Sequence, residues 1–372
     1  MSKATLYGSS LSLYTGRPRS YLIKAGIEYR EVAPITANYR DNIVPRAGGR
    51  QGVPTIETAE GDIIRDGVAI VDHYEKNSSH LFSPNTARQK MLSLLFDVIG
   101  AEGMLRPAMH YRWNFPEQNQ TFLQFHFQSM IPRGPGRAEK AEKAMNAMRA
   151  ACAAFGAVPE TFEMVENLYL ELLEKLNIHF ADSPYLLGGK ASVGDFGMMA
   201  PFFGHLGRDP KPLSIMQIQA VHLFRWVERM NRQEPDVGEF EIQDGRYLLE
   251  DEIPDSLIQI LKHIAIDFIP ETRAASVCIN DWIEQQEDLM PGTEVLRGVG
   301  LCSFEIRGVK VNALAQPFRF YLIKRVQDYY AQLDKDAQSS VSNLLAECDM
   351  LEVLDLKLSR DIERQNNLEV WR

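Results

Sequence analysis

Strand and helix patterns alternate so tightly over the first eighty residues that only a small layered α/β domain can satisfy them. Thr5-Leu6-Tyr7 is a short strand, followed by a Ser/Thr/Gly loop that runs to Gly16. The sequence predicts a helix from near Arg17, with Pro18 in the first turn, where its missing N–H is harmless, and Gly26 as C-cap. Ile27 to Val32 reads as a second strand, and residues 35–49 as irregular or weakly helical. Residues 54–57 and 62–65 read as two strands joined at Glu60-Gly61. Val68, Ile70, Val71 and Tyr74 then recur at helical spacing. The order is βαβ, then ββα.

That order is the thioredoxin-like topology. From about Asn85 the strand signal disappears, and helix patterns cover 87–112, 122–130, 137–155, 159–180, 193–206 and 214–230. Pro- and Gly-rich stretches at 132–136 and 208–212 mark loops between them. An α/β unit followed by an all-helical one implies segregated domains, which the sequence divides at 1–80 and 86–232. Residues 233–372 read as a mainly helical extension, with helices near 255–268, 272–286, 317–333 and 336–346. Within it, Phe304-Glu305-Ile306 and Val309-Lys310-Val311 flank Arg307-Gly308 as a two-residue hairpin.

Charge and cysteine usage narrow the classes of partner. A net charge of -10, with both signs interspersed, argues against nucleic acid and against an anionic membrane surface. Cys152, Cys278, Cys302 and Cys348 lie far apart, so neither a disulfide framework nor a metal site is expected. The stretch Met1 to Thr5 has no apolar signal core, and no later segment approaches the roughly 18 apolar residues of a membrane span. A cytoplasmic protein with small-molecule or protein partners is the expectation.

Three local motifs carry chemistry or its scaffold. In Gly52-Val53-Pro54-Thr55-Ile56, an X–Pro bond at a strand start can be cis, which bares the Val53 N–H and C=O to an extended peptide ligand. A plain turn before a strand satisfies the same residues. Asp66-Gly67 opens a helix, where free N–H groups favour a bound carboxylate and Asp66 can pair with a ligand's amino group. Taken alone, Asp66 is an ordinary N-cap. Ser192 to Asp195 forms a capping box with Asp in place of Glu, which nucleates a buried helix and does no chemistry.

Together, the first strand, the loop and helix from Ser12 to Gly26, Gly52-Val53-Pro54, the Asp66 helix start and the 192–195 box resemble the glutathione transferase superfamily over about residues 4–230. The resemblance implies that glutathione, as co-substrate, pairs its cysteinyl backbone with Val53 beside Pro54. Its γ-glutamyl group then sits at Asp66 and Gly67. Many members have serine where this chain has Gly67. Arg40, Arg46 and Arg50 are within reach of the glycyl carboxylate or are solvated surface groups. Residues 12–19 line up with the Ser-Pro-Tyr-Ser-x-x-Val-Arg pattern of serine-type members, which makes Ser12 the catalytic position, with Tyr14 and Thr15 beside it. The absence of a cysteine before Cys152 disfavours thiol-transfer chemistry. Tyr111, Arg112 and Trp113 fall where the family borders its second-substrate pocket, and equally suit packing against the extension.

The reading that follows is a cytosolic, homodimeric glutathione S-transferase joining the glutathione thiolate to an apolar electrophile. Its rival is a non-catalytic binding or interaction protein on the same scaffold, using its surface or its extension to hold a partner, which Gly67 and the ambiguous catalytic loop favour and the intact Gly52-Val53-Pro54 opposes.

Overall fold

The computed structural model describes residues 3–233, 239–240 and 245–372. Met1 and Ser2 lie outside that description, and the expected junction at 232/233 borders residues that do as well. Strands β1 (Ala4–Tyr7), β2 (Tyr29–Val32), β3 (Thr55–Glu57) and β4 (Ile63–Arg65) form one sheet in the order β2-β1-β3-β4. β1 runs parallel to β2, while β3 is antiparallel to both β1 and β4. Helices α1 (Leu13–Lys24), the short α2 (Val44–Arg46) and α3 (Gly67–Asn77) complete the domain. Leu6 and Ile56 of the sheet bury against Leu22 of α1 and Ile70 of α3. This is the thioredoxin-like arrangement expected.

One expectation in this domain needs correction. α1 begins at Leu13, not near Arg17, so Pro18 lies inside the helix. Ser12 is its N-cap, with extended backbone at φ -77° and ψ 123°. Because proline has no N–H, the carbonyl four residues earlier, on Tyr14, lacks its helical donor. The stretch 35–49, read as irregular or weakly helical, carries a π-helical turn at Tyr39–Ile43 that runs into α2 between non-helical ends.

The helical part comprises α4 (Ala87–Val98), α5 (Leu105–Trp113), α6 (Pro116–Ser129), α7 (Arg137–Ala150), α8 (Phe162–Asp182), α9 (Val193–Gly204), α10 (Pro210–Gln219) and α11 (Val221–Met230). The single helix expected over 87–112 is divided by a π-helical turn at Ile99–Gly103. There Gly100 meets the backbone of Gly197 in α9, where an added Cβ would lie 2.2 Å from the Gly197 carbonyl carbon. The capping box forms as expected: Ser192 Oγ accepts from the Asp195 N–H, and Asp195 accepts from the Ser192 N–H at 2.8 Å.

Beyond residue 245 the chain adds α12 (Asp255–Glu284), the hairpin β5 (Leu301–Ile306) and β6 (Val309–Leu314), α13 (Pro317–Gln332), α14 (Lys335–Glu347), and the hairpin β7 (Ile362–Gln365) and β8 (Leu368–Trp371). The first hairpin turns at Arg307-Gly308 as predicted, both at positive φ. Two expected helices are one, because α12 continues through Pro270. The second hairpin, turning at Asn366-Asn367, was not anticipated.

These residues are built into the rest. One buried apolar cluster runs from Leu13 to Trp371, with α12 against α8 and both α13 and α14 against α4. Asn367 closes the open edge of the first sheet: its Oδ1 accepts from the Arg65 N–H at 3.1 Å, and its Nδ2 donates to the Ile63 carbonyl at 3.0 Å. A side-chain amide thus stands where a fifth strand would pair. Among the described residues, no helix is long and apolar enough to cross a membrane.

Asp97 of α4 binds all these parts electrostatically. It pairs with Arg17 of α1 at 3.1 Å and with Arg325 of α13 at 2.9 Å, and Arg325 reaches Asp72 of α3 at 2.6 Å. Asp97 is 2% exposed. Asp97→Asn leaves the buried Arg17 without a carboxylate and Arg325 with Asp72 alone, and the expected loss is roughly 3–5 kcal/mol of unfolding free energy, read from urea denaturation. A loss below about 1 kcal/mol would show that the cluster does not hold the parts together.

Candidate functional site

The cleft residues are set by backbone contact between α1 and α9. An added Cβ on Gly16 would lie 2.9 Å from the Met199 carbonyl, and one on Gly204 would lie 2.4 Å from the Leu13 Cα. The head of α1, with Ser12 and Tyr14, is thereby fixed. Arg112 fastens the loop before it: its guanidinium donates to the Leu11 carbonyl at 2.7 Å and the Gly204 carbonyl at 2.8 Å, and pairs with Asp209 at 2.6 Å.

In that loop, the hydroxyls of Ser9 and Thr15 have structural work. Ser9 Oγ accepts from the Leu11 N–H, and Thr15 Oγ1 accepts from the Ser9 N–H at 3.5 Å. Thr15 is fully buried, which leaves it no surface for a substrate. Ser12 is half-buried and caps nothing with its side chain, although it stands at the positive end of α1.

The Val53–Pro54 bond is cis. The flanking groups are engaged: Tyr39 Oη and Thr55 Oγ1 both donate to the Gly52 carbonyl, at 2.6 and 3.0 Å, and the Asp66 N–H donates to the Pro54 carbonyl at 3.0 Å. Among the described residues, neither the N–H nor the C=O of Val53 has a hydrogen-bond partner. Asp66 caps α3 through Oδ1, which accepts from the Val68 and Ala69 N–H groups at 2.9 and 3.3 Å. Its φ of 85° is rare for a residue with a side chain. Gly67 sits where α3 meets α1, and an added Cβ would lie 3.2 Å from the Tyr14 carbonyl that Pro18 left undonated. The serine common in the family is therefore tight here.

Other expected contacts do not form. Arg112 is consumed in the buried pairs above and cannot orient a substrate. Tyr111 stacks on Phe115 and leans on Tyr169, and Trp113 packs on Phe127. All three are at most 4% exposed, because every residue of α5 is buried. They are core of the helical part rather than the wall of a second-substrate pocket, and these ring partners all belong to the helical part. Arg40 is exposed beside Asp41, and Arg46 turns to Glu57 and Gly61. Arg50 instead meets Glu294, at 3.0 Å. Of the expected pocket residues, Tyr14 remains open, with 36% of its surface exposed.

Sequence reasoning missed Glu102. It sits in the π-helical turn between α4 and α5, is 3% exposed, and its Oε2 is sealed from solvent without a hydrogen-bond partner. Burial pushes its carboxyl up to about 7, with Arg319 opposing the rise and Asp66 and Glu271 adding to it. Glu102 and Asp66 in turn add to the burial that holds the Tyr14 phenol well above its ordinary value. The signal was an acid inside Ile99-Gly100-Ala101-Glu102-Gly103, a run that is otherwise small and apolar. Such π-helical turns often mark functional positions.

Residues 6–81, from β1 through α3, match the family described as Glutathione S-transferase, N-terminal domain. No curated protein matches the chain in sequence. Similar solved structures include the beta-etherase LigF from Sphingobium sp. strain SYK-6, at 16% identity and a TM-score of 0.42, covering 62% of this chain and 95% of that one. Glutathione transferase GSTFuA3 from Phanerochaete chrysosporium is 13% identical with a TM-score of 0.37, covering 63% of this chain and 98% of that one. The Ceriporiopsis subvermispora transferase CsGST63524, solved with glutathione, is 16% identical with a TM-score of 0.33, covering 62% of this chain and 98% of that one.

A carboxyl held above its unfolded value favours the fold fully at low pH, and that contribution is lost as pH rises through about 7. Glu102→Gln should therefore gain stability over the parent protein between about pH 5 and about pH 8, by on the order of 3 kcal/mol. Urea midpoints across that range give the measurement. A difference that stays constant with pH would place the carboxyl's titration elsewhere.

Proposed function

We propose that this chain, whose residues 6–81 are a domain of the glutathione S-transferase N-terminal type, binds glutathione in the α1–α3 cleft and transfers its thiolate to an apolar electrophile. The observation that carries the reading is the bare backbone of Val53 facing the α3 start at Asp66 and Gly67. An extended peptide pairs with that edge through its own N–H and C=O, as a strand would. Its amino group meets the second oxygen of Asp66, since capping uses Oδ1.

Ser12 is the group at the reacting sulfur. Its hydroxyl donates a hydrogen bond to the thiolate, and the head of α1 adds partial positive charge. Both favour the anion over the thiol, and only the anion attacks efficiently. The S–H proton leaves to solvent, the sulfur forms the new bond to carbon, and the leaving group departs. Tyr14, open beside Ser12, is the nearest wall for the electrophile.

One observation favours the second reading, a non-catalytic binding protein: the residues expected to form the electrophile site on α5 are buried core. The two separate in one pair of experiments. Calorimetry should show glutathione binding to the full chain. Ser12→Ala should leave that affinity near its starting value while lowering kcat/KM toward a model electrophile about a hundredfold, and should weaken the ultraviolet thiolate absorbance. Binding without any turnover supports the second reading, and unchanged kcat/KM in the variant removes Ser12 from the reaction.

A further inference from the structure

The segment between α12 and β5 is held on both sides. Before the turn, the Gly292 N–H donates to the Trp371 carbonyl at 2.8 Å and the Val295 N–H donates to the Glu369 carbonyl at 2.9 Å, laying residues 292–295 along β8. After it, the Val299 N–H donates to the Ala315 carbonyl at 3.1 Å. Only Leu296, Arg297 and Gly298 lie between these anchors, and an added Cβ on Gly298 would strike Leu314 at 2.4 Å. Arg297 projects from a turn with little freedom, and it is exposed.

That turn abuts the cleft. Glu294, three residues before Arg297, pairs with Arg50, and Arg50 lies two residues before Gly52. Arg65, on the neighbouring strand, passes its side chain 3.7 Å from where a Cβ on Gly52 would be. Charges here do not balance. Arg50 has Glu294, while Arg65 and Arg364 share Glu369. Arg297 has no carboxylate partner among the described residues. Burial depresses Arg50, and the neighbouring Arg297 and Arg65 depress it further. Arg297 also acts on the Tyr14 phenol, drawing it down against the rise from burial, Glu102 and Asp66.

Asp66 stands at the α3 start, the Arg297 turn is tied to Arg50 through Glu294, and the unpaired Val53 backbone belongs to the loop between Arg50 and Asp66. An uncompensated guanidinium on a turn fastened to the loop that carries the bare strand edge favours an extended peptide whose far end is a carboxylate, since Arg pairs with carboxylates in a fixed fork. We infer that Arg297 is a ligand-binding residue, supplied by the extension, that clamps the C-terminal carboxylate of the peptide lying on Val53. The inference rests on the glutathione reading, in which that group is the glycyl carboxylate. The extension is then part of the binding site.

The test compares glutathione with glutathione monoethyl ester, whose glycyl carboxylate is blocked, by calorimetry on the full chain. The parent protein should bind glutathione about tenfold more tightly than the ester. Arg297→Ala should weaken glutathione about tenfold and leave the ester unchanged, and Arg297→Glu should weaken glutathione further. Both substitutions fall on an exposed turn, and circular dichroism confirms that the fold is kept. Equal affinity of the two ligands for the parent protein overturns the inference, as does an equal effect of Arg297→Ala on both. If the parent protein binds neither ligand, the glutathione reading itself fails and the clamp with it.

Discussion

Asp97 receives guanidinium groups from two sides, Arg17 from the first domain and Arg325 from α13, with Arg325 also holding Asp72. Three regions that are distant in sequence are thus tied at one carboxylate that solvent hardly reaches. A buried ion set of this kind contributes little net stability, because each charge gives up its hydration. What it does enforce is arrangement. Any displacement of α13 leaves a charge buried without a partner, so α1, α3, α4 and α13 keep one relative placement.

A second set works alongside it. Arg106 of α5 pairs with Glu271 of α12 at 3.2 Å and also with Asp267, and Arg319 of α13 pairs with Glu271 at 3.1 Å. Arg319 also donates to the Glu102 backbone carbonyl at 2.9 Å. The extension therefore reaches the turn that carries Glu102 from one side and the cleft rim at Arg50 from the other. Its placement follows from these pairs and from the shared apolar core. A loosely tethered appendage would have neither.

Local signals were the legible ones. The strand order, Pro54, the Asp66 cap, the 192–195 box and the Arg307-Gly308 turn each depend on a few adjacent residues, and each is present as read. The start of α1 was misjudged because Gly16 reads as the end of a loop and Pro18 as a first-turn proline, whereas Gly16 is there to let α9 approach. Tyr111, Arg112 and Trp113 have the composition of either a pocket or a core. Only the distant partners Leu11, Asp209 and Tyr169 decide between the two. Glu102 and Arg297 were invisible for the same reason. An acid without a partner and a cation without a counter-charge are defined by what the tertiary structure fails to bring near them. The Asn366-Asn367 hairpin was missed because its strands lack the alternation that marks a half-buried pair, although two asparagines at positive φ suit such a turn.

The amide of Asn367 that completes the edge of β4 lies 302 residues beyond Arg65. During synthesis from the N-terminus, the first domain can assemble its sheet long before that amide leaves the ribosome. For that interval β4 presents open N–H and C=O groups, the template on which chains associate wrongly. Contacts of such sequence separation also form slowly, since a long loop must close first. The nascent chain thus passes through a stage in which a folded-looking domain still carries an adhesive border, and folding helpers that shield strand edges would act most usefully there.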